Sequence, residues 1–173
     1  MGESFFLRMS QDSNGATYAE GSEDLGSYIN LGPKSSTGLR IKNIAVSILD
    51  HDNPSTPLIS SADTAVYWQL TTSSQTASVY PTDKSVVASG IVQLGFSAIG
   101  YSGGSGKNNY ISDRADVLPQ HWTNGYLIAV DTLYLGVDCG VAFTDDVKVS
   151  IVLECEQVKI TQANATALAL SQT

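Results

Sequence analysis

Charge is scarce in this chain, and that scarcity is the first constraint on its function. Only 15 % of residues are Asp, Glu, Lys or Arg, so the polar surface has to come from Ser, Thr, Asn, Gln and Gly. Such residues suit strands and turns better than long exposed helices, which favour Glu and Lys. Basic residues are the scarcer kind, nine against 17 acidic, for a formal net charge of −8. Neutralising several phosphates takes a cluster of Lys and Arg. Here Arg8, Lys34, Arg40, Lys42, Lys84, Lys107, Arg114, Lys148 and Lys159 are spread along the chain. Only Arg40 and Lys42 are close, on what would be one face of a strand. Direct nucleic-acid binding is not expected.

Catalytic side chains are equally few. His51 and His121 are the only histidines, which excludes a three-histidine metal site, and neither belongs to an H-x-H or H-x-[DE] pair. The DHDN stretch offers Asp50, Asp52 and Asn53 as calcium ligands, but a polar turn at a strand end explains it as well. There is no G-x-S-x-G elbow for a nucleophilic serine. Asp131 and Asp138 stand seven apart, on opposite faces of a strand, so they do not form an acid–base pair. Cys139 and Cys155 make no disulfide scaffold and read as two buried reduced thiols. Neither an enzyme nor a cofactor is expected. MGESFFLRMS lacks the basic and apolar parts of a targeting segment, and no run reaches the length of a membrane span. The expected site of synthesis is a cytoplasm.

A phosphate loop is a near miss. GYSGGSGKNN, Gly100–Asn109, has four glycines and a lysine after an apolar run. G-x-x-x-x-G-K-[ST] would need glycine at Tyr101 and a hydroxyl at Asn108. A surface loop is the simpler reading.

What is present is strand after strand. SFFLRMS alternates, and the short SYINL follows a polar section. GLRIKNIAVSILD changes phase after Ile41, as a β-bulge or bend requires. HDNPSTP breaks the chain, and AVYWQLTT and SVVASGIVQLGFSAIG follow, the latter with Gly90 and Gly95 marking bends or close approaches. ISDRADVLPQHW is the best candidate for a short helix, limited by Pro119. GYLIAVDTLYLGVDCGVAF and DDVKVSIVLECEQVKI form the clearest strand pair. Val147 to Cys155 alternate, and the phase slips near Gln157. Trp68 reads as core. No repeat, heptad or βαβ alternation is seen. Residues 1–161 are expected to form one antiparallel β-sandwich of jelly-roll type with about eight strands, and 162–173 a weakly helical C-terminal tail.

In whole-chain architecture the sequence resembles the single jelly-roll coat proteins of viruses. The resemblance covers most of residues 4 to 161: a short first strand (FFLRMS), a polar excursion, a long bent strand (LRIKNIAVSILD), a central set, and a closing pair (YLIAVDTLYLGVD and VKVSIVLECEQVKI). It implies a structural virion subunit that packs against copies of itself and other virion proteins. Many such proteins carry a basic amino-terminal arm, whereas residues 1–33 hold Arg8 alone against five acidic residues. The resemblance therefore fits a subunit whose genome is condensed by another component, or one outside the genome-contacting shell. The candidate contacts are Tyr101, Lys107, Tyr110 and Trp122 around the glycine-rich loop, with Tyr126 nearby. Tyrosine and tryptophan there suit an intersubunit anchor or, alternatively, the platform of a glycan-binding β-sandwich.

Overall fold

The computed structural model of the chain describes residues 4–32, 35–59, 62–97, 107–140, 143 and 145–172. Ten strands lie among them: β1 (Phe5–Asp12), β2 (Ala19–Asp24), β3 (Asn30–Gly32), β4 (Ser35–Asp50), β5 (Thr64–Thr71), β6 (Val86–Ser97), β7 (Lys107–Val117), β8 (Tyr126–Ile128), β9 (Thr132–Cys139) and β10 (Val147–Ile160). One helix, α1 (Gln162–Gln172), follows them. Sheet I has the order β1-β10-β4, with β3 and β8 both on the far edge of β4. Sheet II runs β2-β9-β5-β6-β7, and every pairing in both sheets is antiparallel.

The pairings are nested: β1 with β10, β2 with β9, β4 with β8, β5 with β6. A long hairpin rolled so that successive pairs fall alternately in the two sheets is a jelly roll. Those eight strands make the roll, and β3 and β7 extend it.

Local chemistry explains the strands. In β10 every odd residue from Val147 to Cys155 is buried and every even one is half-buried, as a strand with one core face requires. The phase change in β4 is a bulge. Cys155 faces Ile41 and Glu154 faces Asn43, so Lys42 is the extra residue, and Leu39, Ile41 and Ile44 all turn inward. Beside the bulge Glu156 accepts Arg40 Nη1 at 2.8 Å and Lys42 Nζ at 2.7 Å. Hydrogen bonds from Lys42 and then Arg40 hold its carboxyl below the ordinary range. The two neighbouring basic residues of the sequence thus share one carboxylate within the chain. Facing them across the core, sheet II contributes Val66, Trp68, Leu70, Leu133, Leu135 and Val137.

Gly90 faces Trp68 directly, and a Cβ there would lie 2.7 Å from the indole Nε1 and 2.9 Å from the Arg114 carbonyl oxygen. The expected close approach is therefore real. Register shifts at Ser89/Gly90 and Gly95/Phe96 mark both expected bends.

Three expectations change. ISDRADVLPQHW is not a helix: Ile111–Val117 belong to β7, and only Pro119–His121 form a 3₁₀ turn. Pairing with β6, Arg114 against Ile91, overrides a weak local preference. The two apolar strands near the C-terminus are not partners either. β9 lies between β2 and β5, and β10 between β1 and β4, in opposite sheets. Both bury one face on the same core, so their patterns cannot distinguish hairpin partners from facing strands. Finally, AEGSED is a strand, β2, although it lacks an apolar stripe; its ladder to β9 holds it at an edge.

Cys139 and Cys155 are therefore in opposite sheets, buried and unbridged. Burial pushes the Cys139 thiol up to about 11 and the Cys155 thiol up to about 12. Neither is a reactive thiolate. Ellman's reagent at pH 8 is expected to label neither in the native protein and both in 6 M guanidinium, and rapid native labelling would contradict this burial.

The tail packs onto the roll. In α1 Ala165 and Gln172 are buried, and the Gln172 side chain donates to Leu127 O (2.8 Å) and accepts from Ala129 N (3.3 Å), along the outer edge of β8. The Thr72 hydroxyl donates to the Gln172 carbonyl.

Candidate functional site

Of the sequence-based contact residues, Lys107 and Tyr110 share one strand and Trp122 lies after it. Tyr101 lies outside the described residues, as does the loop to Gly106. Lys107 and Tyr110 lie on β7, the outermost strand of sheet II, though their side chains are outside what is described. Trp122, 54 % exposed, follows the 3₁₀ turn and lines a groove of roughly 410 Å³ with Tyr126, Leu127, Leu168 and Gln172. About 23 Å of strand separates Tyr110 from Val117 alone, so Trp122 belongs to another part of the surface.

The most developed surface is the outer face of sheet II. Register places Asp138, Tyr67, Ile91 and Arg114 in one row across β9, β5, β6 and β7. The neighbouring row holds Glu20, Gly136, Gln69 and Ser89. Residues 72–85 cross these rows and are fastened to both. Gln69 does most of the fastening. Fully buried, it accepts from Val79 N at 2.9 Å and donates to Tyr18 Oη at 3.0 Å and Ala77 O at 3.5 Å. Tyr18 in turn donates to Glu20 (3.0 Å), whose carboxylate also receives Ser74 Oγ (2.7 Å) and Gln75 N (2.9 Å). Burial, then the bond to Glu20, raises the Tyr18 hydroxyl well above its ordinary value. Position 136 is glycine because Tyr18 lies across it; a Cβ would meet the hydroxyl at 2.1 Å.

Gln69→Leu keeps the bulk of the side chain but orphans the Val79 amide and removes the bond that the Tyr18 hydroxyl accepts, leaving its bond to Glu20. We expect a loss of about 1–3 kcal/mol in urea unfolding, with earlier proteolysis inside residues 72–85. An unchanged midpoint would show that solvent replaces Gln69.

Beside this crossing lies an open groove of roughly 590 Å³, lined by Tyr67, Ser78, Val79, Tyr80, Pro81, Ile91, Arg114 and Asp116. Tyr67 Oη donates to Val79 O at 3.1 Å, fixing one wall, and Ser78 Oγ donates to Asp138. Burial raises the Tyr67 hydroxyl. Arg114 Nε donates to Asp116 Oδ1 at 3.0 Å at the β7 rim, and Tyr80 is 85 % exposed above the groove. Chemically this is an aromatic and aliphatic floor with one ion pair, able to hold a flat, partly polar ligand or an apolar side chain. Sequence reading gave the AVYWQLTT strand that carries Tyr67 and missed the rest. The missing signal is the course of residues 72–85, whose partners are up to 100 residues away.

The DHDN segment is a strand-end turn. Asp50 Oδ1 accepts from Asp52 N (3.1 Å) and Asn53 N (3.0 Å). No group of three metal-ligating side chains occurs among the described residues. His51 instead pairs with Asp12 (Nδ1 to Oδ1, 3.0 Å), which also meets Lys148 Nζ at 3.3 Å. Burial opposes ionisation of Asp12, but bonds from His51 and Lys148 outweigh it and hold its carboxyl below the usual range. The Asp12 bond raises His51. A raised histidine stabilises fully below its ordinary value near 6.5, and that support is lost as pH rises through the folded value. Asp12, being lowered, loses its support only as pH falls through its own folded value. Wild type and His51→Ala are thus expected to differ most in urea midpoint near pH 5.5 and to converge by about pH 8.5. A gap that stays constant over this range would remove the pair from the account.

No protein-family model matches this chain, and no curated protein matches it.

Proposed function

We propose that this chain is a structural coat subunit of a virion, a jelly roll that packs side by side with copies of itself. The observation that carries the proposal is α1. It is exposed over most of its length, contains no charged residue, and presents Leu170 at 71 % exposure. A solvent-facing helix ordinarily carries charge on its outer face, whereas an interface core is depleted of it. The same shortage runs through the whole surface, and Trp122 and Tyr80 add exposed aromatics elsewhere. Other virion components are expected partners, and a direct genome contact is not.

Sizing and negative-stain microscopy of the purified chain test this. Closed particles or large symmetric assemblies are expected, and Leu170→Glu should reduce them without changing the melting temperature. A chain that stays strictly monomeric at high concentration would overturn the proposal.

A glycan-binding module is the second reading, favoured by Tyr80 standing exposed beside the Arg114–Asp116 pair. Retention of a monomer on immobilised sugar, lost in Tyr80→Ala, would support it against the first.

A further inference from the structure

We propose that the groove beside Tyr80 binds a neutral hexopyranose, whose apolar face stacks on Tyr80 while two adjacent hydroxyls meet Arg114 and Asp116. For its ligand class this rests on the glycan-binding reading above, and it holds for a single or an assembled subunit.

Tyr80 is the most exposed large apolar side chain among the described residues, yet its backbone is firmly held. Asp83 N donates to Tyr80 O at 2.9 Å, closing a turn with Pro81 at its second position, where φ is fixed in advance. One residue earlier, Val79 is tied at both backbone groups, its amide to Gln69 Oε1 (2.9 Å) and its carbonyl to Tyr67 Oη (3.1 Å). The ring therefore stands on a braced support. A ligand that stacks on it has little ordering of the protein to offset.

The polar edge narrows the ligand further. Arg114 uses Nε for Asp116 Oδ1 at 3.0 Å, and its two terminal nitrogens and Asp116 Oδ2 have no partner among the described residues. Donors and an acceptor thus stand side by side. An anion would gain from Arg114 but meet Asp116 and a chain of net charge −8, and a cation would meet Arg114. An apolar side chain laid over the pair would strip it of water without replacing the hydrogen bonds. Vicinal hydroxyls avoid both costs. Each donates and accepts, so one bonds the carboxylate while its neighbour accepts from the guanidinium. The carbon-bound hydrogens of the same ring suit the electron-rich face of Tyr80, with Pro81 and Ile91 as apolar surroundings. At roughly 590 Å³ the groove is within the ordinary range for small-molecule sites.

Saturation-transfer NMR on the full-length protein with the methyl glycosides of glucose, galactose and mannose tests the assignment. Ring-proton signals are expected from at least one of them. Tyr80→Ala should abolish these signals, and Tyr80→Phe, which keeps the ring, should preserve them. Asp116→Asn should weaken binding about 10-fold, the worth of a hydrogen bond to a charged group. Circular dichroism should be unchanged in all three variants, since neither residue is buried. Sugar binding that survives Tyr80→Ala places the site elsewhere and overturns the inference, while the glycan-binding reading stands. Tighter binding of N-acetylneuraminic acid overturns the neutral class. Preference for N-acetylphenylalanine amide, a peptide-like probe, assigns the groove to a protein segment and overturns it too. No signal from any sugar overturns both the inference and the glycan-binding reading, and leaves the coat-subunit reading standing.

Discussion

Trp68→Ala is expected to destabilise the protein by about 3–5 kcal/mol, the range for deleting a buried aromatic ring. Trp68 is 2 % exposed, in the middle strand of sheet II, and its indole fills the space over Gly90. Removing it opens a void between the sheets that Gly90, without a side chain, cannot fill. For a chain of this size the loss corresponds to a fall of roughly 6–20 °C in melting temperature. Tyr67→Phe, one residue away on the outer face, keeps the ring and loses the hydrogen bond to Val79 O, and a cost of about 1 kcal/mol is expected. The contrast checks the facing of β5. Urea unfolding of both variants reads it, and equal losses would mean that the strand's two faces are not core and exterior.

Gly125→Ala is expected to cost about 3 kcal/mol or more, although it adds one methyl group. Gly125 has φ +65°, where an L-residue is strained by about 1–2 kcal/mol. Its new Cβ would also stand 2.3 Å from the Ile41 carbonyl oxygen and 3.2 Å from Lys42 Cα. Both neighbours are backbone of β4 at the bulge, so no side chain can rotate away. β8, which starts at the next residue and pairs Tyr126 with Ile41, must lift instead. That would also unseat Gln172 from Leu127 and Ala129. Earlier hydrogen exchange at residues 126–129, together with a lower urea midpoint, is the expected signature. A midpoint within 1 kcal/mol of wild type would mean that β8 docks more loosely than its hydrogen bonds indicate. Gly140→Ala, with open space around it, is the control.

The β-sandwich was legible because its central strands follow elementary rules. The period of two in Val147–Cys155 and the phase change after Ile41 state which side of each strand is buried, and the core lies there. Trp68 as core and DHDN as a turn followed from the same local chemistry. Partner choice was not legible. β9 and β10 look like a hairpin in sequence because burial marks the face of a strand and not its neighbour. β2 was invisible because an edge strand of Ala, Gly, Ser and acids owes its conformation to β9. The outer groove was hidden for a related reason. Gln69 shares the face of Tyr67, opposite the core residue Trp68, and only the course of residues 72–85 turns it into a buried fastener. The charged half of β7 looked helical because Asp113–Val117 carry no alternation that an edge strand needs to show.

The nested pairing also fixes when this protein can fold. Phe5 is paired with Cys155, and Asp12 with Lys148, so the first strand made waits for the last. Contacts of such sequence separation slow folding. Sheet I also lacks its middle strand until β10 has left the ribosome. The completed sandwich, with every surface that needs both sheets, therefore forms only after β10 has joined β1 and β4.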